Sequence, residues 1–331
     1  MSIIQHTYSL FFPSSSSSFL RSFVSTPLTS LAHSITSTHL FQSFYFQNIS
    51  FHILLYLRSS TMFSLPTATI LFTLGLTLAA PAPITPNPLY TRSLNPSCAP
   101  GGNFDLSKFN LQLPTGSAFH PDQITGSKLA GCSGYKSNVF YTNKSDGALV
   151  LKVCGSSDTC GCVTTKNSKH CRTELREKDP TSWSPKAAVN RLRASLKVVK
   201  ADDSAHGTVV GQIHVDDAVS KKPVCELFVN AKGEVTMGVE QIPDESSLKY
   251  TKVGKVTIGK KFEYEIRYEG GKLSVAIDGG KMKVLGTGSL KSPKSYFKAG
   301  NYNQGNSASE VHFYSIDVQH GGKKKGAHAE E

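Results

Sequence analysis

Acidic residues are missing from the first 104 positions of this 331-residue chain, Asp105 being the first Asp or Glu. Residues 1–61 are instead rich in Ser, Phe, Leu and His, include a serine run at 14–18, and keep no sustained helical or strand period. Such a segment does not specify a packed domain. A long apolar run is also lacking. The one apolar stretch, 70–80, falls short of the roughly 20 residues needed to span a bilayer but has the length of a signal-peptide core. It follows Met62 in "MFSLPTATILFTLGLTLAAPAPITP", and Thr77 and Ala79 stand at suitable −3 and −1 positions, although a positively charged n-region is missing. The expected organisation is an unstructured or non-native extension at 1–61, a signal peptide at 62–80 and a linker or propeptide at 81–97. A folded domain at 98–320 and a basic tail at 321–331 complete it. The rival for the Ser-rich, acid-poor leader is a transit peptide.

Cysteine is absent before Cys98, and no CxxC pair occurs among the seven that follow. The cluster Cys154, Cys160, Cys162 and Cys171 has C-x5-C-x-C-x8-C spacing, which is not that of a zinc knuckle. Cysteines confined to the part after the leader fit an oxidising compartment, hence a secreted, extracellular protein. The odd count leaves one thiol over, and spacing leaves the pairing open. Asn143-Lys144-Ser145, beside the turn residues "SDG", is a glycosylation sequon.

The chain carries 36 basic and 24 acidic residues, a formal net charge of +12. Only Arg21, Arg58 and Arg92 precede residue 93, so the rest keeps 33 basic against 24 acidic residues. A basic secreted protein attracts polyanions: nucleic acid, anionic lipid or acidic polysaccharide. Part of this excess belongs to the terminal "GGKKKGAHAEE".

No long stretch keeps apolar residues at helical spacing. Strand patterns recur instead, at 104–113, 139–142, 148–153, 170–177, 191–199, 208–216, 226–229, 235–239, 255–258, 262–268, 272–277, 281–284, 296–304 and 311–318. Turn signals such as "YEGGK" and "DGGK" separate several of them. Many short strands with Gly-rich turns predict an all-β, two-sheet antiparallel sandwich of the jelly-roll type.

Three strands carry polar residues at alternate positions. "CRTELRE" puts Arg172, Glu174 and Arg176 on one face. "VVGQIHVDD" puts Val210, Gln212, His214 and Asp216 together, with Val209, Gly211, Ile213 and Val215 toward the core. "YFKAGNYNQ" aligns Tyr296, Lys298, Gly300, Tyr302 and Gln304, with the glycine clearing the surface before Tyr302. Taken singly, these are ordinary solvated strand faces; their joint occurrence suits one chemistry. A uronate sugar has a weakly acidic proton at C5, beside its carboxylate. Donors such as Arg172 and Gln212 that neutralise the carboxylate stabilise the charge that develops when this proton leaves. His214 suits the base, and Tyr302, its acidity increased by nearby cations, suits the acid that protonates the departing O4. The outcome is β-elimination, which needs neither metal nor water nucleophile. A glycoside hydrolase needs two flanking carboxylates, and no tight acidic motif of that kind stands on a strand.

At "RTELRE", "QIH" and "YFKAGNYNQ", in that order, with "FNLQLPTG" as an opening strand, the chain resembles the alginate lyases of polysaccharide lyase family 7. The resemblance spans about 100–320. It implies a jelly roll with a concave groove and cleavage of 1,4-linked uronates. Arg172 and Gln212 would neutralise the carboxylate, His214 would be the base and Tyr302 the acid. Glu174, Arg176, Lys298, Gln304 and Tyr296 would bind or orient substrate. For mannuronate, where the C5 proton and O4 are syn, Tyr302 would serve both roles; for guluronate, where they are anti, His214 would be the base. Ile213 in "QIH" is similar to guluronate-accepting members. The Cys-rich insertion departs from plainer members, and Cys162 with Cys171 is the favoured pair. The partner implied is an acidic polysaccharide rather than nucleic acid or a membrane, and the chain is read as a monomer without cofactor or metal. Alternatives are a lyase of another polyuronate such as glucuronan, or a non-catalytic polysaccharide-binding module.

Overall fold

A computed structural model describes residues 93–243 and 247–321. The expected extension, the signal peptide, most of the linker and nearly all of the basic tail lie outside the described residues. The strands, in chain order, are β1 (Phe109–Ser117), β2 (His120–Ile124), β3 (Phe140–Thr142), β4 (Leu149–Val153) and β5 (Arg172–Glu177). Next come β6 (Asn190–Lys200), β7 (Thr208–Val215), β8 (Pro223–Val229), β9 (Glu234–Glu240) and β10 (Leu248–Lys255). The last are β11 (Phe262–Glu269), β12 (Lys272–Ile277), β13 (Lys283–Leu285), β14 (Ser295–Tyr302) and β15 (Ser309–His320). The helical segments among the described residues are single turns of four residues.

Two antiparallel sheets form the sandwich. The first runs β10-β9-β8-β7-β14-β5-β1-β2 and the second β13-β12-β11-β6-β15-β4-β3. Their facing sides make one apolar core. Leu111, Leu175, Ile213, Leu227, Phe297 and Ala299 come from the first sheet. Leu151, Leu192, Leu196, Ile266 and Phe313 are among those that meet them from the second. Alternation explains why these strands fold so: β6 and β11 bury every second residue, and the residues between stay partly exposed.

Strand β14 breaks that alternation, with all eight residues buried. Its core face packs in the sandwich, while its other face is covered by long polar side chains from neighbouring strands and by loops. This second face is the floor of the site. Strand β2 is not among the sequence-derived strands, and β10 lies N-terminal to the strand expected at 255–258.

On β7 the two valines are exchanged relative to simple alternation. Val210 joins the main core, whereas Val209 packs with Phe228 and Tyr302 on the opposite face. The cause is a register shift against β8 between Val209 and Gly211. Gly211 is required here: a Cβ would stand 2.6 Å from the Tyr264 hydroxyl oxygen, which donates to the Val210 carbonyl at 3.0 Å.

Six cysteines form disulfides: Cys98–Cys132, Cys154–Cys160 and Cys162–Cys171. The Cys162–Cys171 pair is the one favoured from the resemblance. Cys225 on β8 is the free thiol, buried in the core.

Candidate active site

Three adjacent strands of the first sheet supply the polar groups, and the ladder brings them into register. On β14, Tyr296 lies opposite His214, Lys298 opposite Gln212 on one side and Arg176 on the other, and Tyr302 opposite Arg172. Gly300 lies opposite Glu174. It does not open space for a ligand as alternation suggested. A Cβ there would stand 2.6 Å from the Glu174 Cα, so the glycine instead lets β14 and β5 approach closely.

These side chains line a groove of about 450 Å3. Arg172, Arg176, Gln212, His214, Tyr296, Lys298, Tyr302 and Gln304 all contribute to its wall. Glu174 lies underneath, 1% exposed, and organises the floor. One of its oxygens accepts from Gln212 Nε2; the other accepts from Lys298 Nζ and, at 3.2 Å, from Arg172 Nη1. All nine sequence-derived site residues are therefore in one place. Gln304 lies just beyond the end of β14, where its backbone N–H donates to Asp202 at 2.7 Å.

The electrostatics follow from this packing. Burial alone would raise the Glu174 carboxyl, but Lys298 and Arg172 outweigh it and hold the group below the usual carboxylate range. Lys298 is pushed down to about 8 by burial and by Arg172, against the pull of Glu174. His214 is pushed down to about 4, first by burial and then by Lys298, so its imidazole is neutral at neutral pH. Its Nδ1 lies 2.7 Å from the Val215 carbonyl. A carbonyl only accepts, so Nδ1 carries the hydrogen and Nε2 keeps its lone pair.

The Arg172 guanidinium carbon sits 3.7 Å from the centroid of the Tyr302 ring. Proximity to cations nevertheless does not make this phenol more acidic than normal. Burial raises it, and Arg172 offsets only part of that rise. Tyr302 therefore holds its proton in the resting protein.

Several groups that strand alternation did not mark complete the site. Ser168 Oγ lies 2.8 Å from the Tyr302 hydroxyl and accepts from Arg172 Nη2 at 3.0 Å. It belongs to the loop closed by Cys162–Cys171. Asp217 takes an ion pair from Arg176 at 2.7 Å and accepts from the Tyr296 hydroxyl at 3.1 Å. Tyr296 in turn stacks on His214, with ring centroids 5.1 Å apart. Glu226 of β8 also lines the groove, as cross-strand neighbour of Gln212. Ser168 and Asp217 come from loops, where side-chain period carries no information; Glu226 is visible only once the pairing of β7 with β8 is known.

The family model described as alginate lyase matches residues 104–320. The chain belongs to this family. It is a polysaccharide lyase by that membership, and its substrate class is acidic polysaccharide. A curated alginate lyase from Klebsiella pneumoniae is 27% identical over 292 residues, covering 68% of this chain and 92% of that relative. The crystal structure of the family 7 alginate lyase A1-II', a variant in complex with product, is 30% identical. It covers 67% of this chain and 99% of its own, with a TM-score of 0.58. The alginate lyase PA1167 from Pseudomonas aeruginosa is 27% identical over 65% of this chain and 99% of its own, with a TM-score of 0.55. The jelly-roll sandwich is thus the fold of this alginate lyase and its relatives.

Proposed function

We propose that this alginate lyase cleaves 1,4-linked uronate chains by β-elimination, leaving a 4,5-unsaturated uronate at the new end. Arg172 and Gln212 hold the carboxylate of the sugar whose C5 proton is removed. Glu174 fixes both donors from below, and each keeps further N–H groups for substrate. His214 takes the C5 proton on Nε2, and Tyr302 delivers its proton to the departing O4. The reading rests mainly on one observation: His214 and Tyr302 line the same groove as Arg172 and Gln212, one neutral and the other protonated.

That division of protonation favours an anti elimination, with base and acid on different residues. Guluronate is therefore the better substrate in this reading, because using Tyr302 as base would first require ionising a phenol that burial holds protonated. Ile213 lies in the core, so its effect on preference would run through packing rather than contact.

The test is absorbance of the conjugated enoate on incubation with polyguluronate, polymannuronate and glucuronan in turn. Appearance of the band with polyguluronate first supports the proposal, and a faster rise with glucuronan reassigns the substrate. Reducing ends without the band would mean hydrolysis, and binding without cleavage a carbohydrate-binding module. We further propose secretion, supported by three disulfides. Asn143 is proposed as a glycan acceptor, since it sits at a turn with Lys144 and Ser145 exposed.

A further inference from the structure

Five acidic side chains are buried among the described residues: Glu174, Glu177, Asp202, Glu226 and Glu240. Four have donors. Glu174 has Arg172, Gln212 and Lys298. Glu177 has the Trp183 indole and the Phe297 backbone N–H, both at 2.9 Å. Asp202 accepts from the backbone of Ser204 at 2.8 Å and of Gln304 at 2.7 Å. Glu240 accepts from Ser247 through its backbone N–H at 2.7 Å and its hydroxyl at 2.6 Å. Glu226 is 7% exposed, and no donor from the described residues reaches its carboxyl. It lines the groove alongside Gln212 and Lys298; Glu240 lines it too, but with its donors already in place. Among the described residues the fully buried side-chain atoms without a partner are Asn110 Oδ1 and Thr142 Oγ1; the Glu226 oxygens instead open on the groove, where a ligand can complete them.

We propose that Glu226 is a substrate-binding residue that acts in its protonated form, donating its carboxyl hydrogen to an oxygen of the uronate chain bound beside Gln212. This inference rests on the lyase reading, since the ligand is taken to be a polyuronate. The polarity of the ligand decides the protonation state. A polyanion repels a carboxylate but accepts from a carboxylic acid, so only the neutral side chain gains from contact.

The surroundings favour that neutral form. Burial is the largest influence and pushes the Glu226 carboxyl up to about 7. Glu174 of β5 and Glu240 of β9 push in the same direction, while Arg172 of β5 and Lys298 of β14 oppose them. Tyr250 of β10 and Tyr302 of β14, both made weaker acids first by burial, are made weaker still by any charge on Glu226. Cys225, its neighbour on β8, is likewise pushed up, to about 12, and stays a neutral thiol. Substrate binding to the protonated form stabilises it further. Binding therefore weakens as pH rises through the value of the free protein.

The experiment is the pH dependence of KM for alginate on either side of neutrality, in the wild type and in Glu226→Gln and Glu226→Ala. In the wild type, KM rises as pH passes about 7, by up to tenfold per unit. Glu226→Gln keeps a neutral donor, so that rise disappears; the later rise near 8, where Lys298 loses its proton, remains. Glu226→Ala raises KM about tenfold on the acid side of neutrality, where the wild type donates. A wild-type KM that stays flat through neutrality overturns the inference without any variant. So does a Glu226→Gln profile that rises like the wild type. In both cases the enoate still forms and the lyase reading stands; absence of enoate in the wild type removes both.

Discussion

Tyr302 and Arg172 lie opposite each other on β14 and β5, and the guanidinium carbon stands 3.7 Å from the phenol ring centroid. Ser168 Oγ ties the same two residues together at their polar ends, 2.8 Å from the hydroxyl and 3.0 Å from Nη2. The proposed acid and one carboxylate-neutralising donor therefore form a single unit, held by stacking and by a shared hydrogen-bond partner.

Replacing Arg172 with Lys keeps the charge but loses the planar fork and the stacking. The expected loss in kcat is about 100-fold to 1,000-fold, the size seen when one preorganised donor to developing charge is removed. Initial rates of enoate formation at saturating alginate measure it. An unchanged kcat would show that the carboxylate is held elsewhere.

Glu174→Gln leaves Lys298 and Arg172 buried without their counter-charge. Breaking such a pair costs about 3–5 kcal/mol, which lowers Tm by roughly 6–20 °C for a domain of this size. The pH dependence gives a second check. The folded-state pKa of Glu174 lies below its usual value, so its stabilisation is present above the ordinary carboxylate range and is lost as pH falls through the lowered value. Thermal unfolding followed across acidic pH should show a steeper decline for the wild type than for the variant.

His214 is neutral down to about pH 4, so the acid limb of kcat/KM is expected there rather than near the usual histidine value. Activity should fall as pH drops through about 4 and hold above it until the groups described near 7 and 8 titrate. His214→Ala should abolish enoate formation while retaining binding of alginate oligosaccharides by calorimetry. Product formation by that variant would transfer the base role to Tyr302.

Cys162–Cys171 closes a loop with a sequence separation of 9, and that loop carries Ser168. Replacing both cysteines with Ser is expected to cost about 2–3 kcal/mol of stability by loop entropy. A fall in kcat larger than that caused by Ser168→Ala would show that the disulfide places more of the loop than its serine. Urea unfolding and initial rates, measured together, separate the two effects.

Much of the fold could be read from the chain because period-2 alternation is what a half-buried strand requires. The "RTELRE", "QIH" and "YFKAGNYNQ" segments became β5, β7 and β14, which are adjacent in one sheet. Alternation fails where the register shifts. Val209 and Val210 exchange faces because of the irregularity against β8. The short, mostly exposed strand β2 has no apolar side to signal it. Nor does period reveal groups whose position depends on chain neighbours far away in sequence. Ser168 reaches Tyr302 across a separation of 134 residues, and Asp217 reaches Tyr296 across 79.

Cys225 has a consequence for heat treatment. While the sandwich is closed, its thiol is neutral and shielded from alkylating reagents. Once the strands separate, it becomes an ionisable nucleophile in a chain that also contains three disulfides, and thiol–disulfide exchange can shuffle them. Recovery after boiling should therefore be poor at alkaline pH and improve in acid or with an alkylating agent present, making the lone sulfhydryl the clock that limits reversible unfolding.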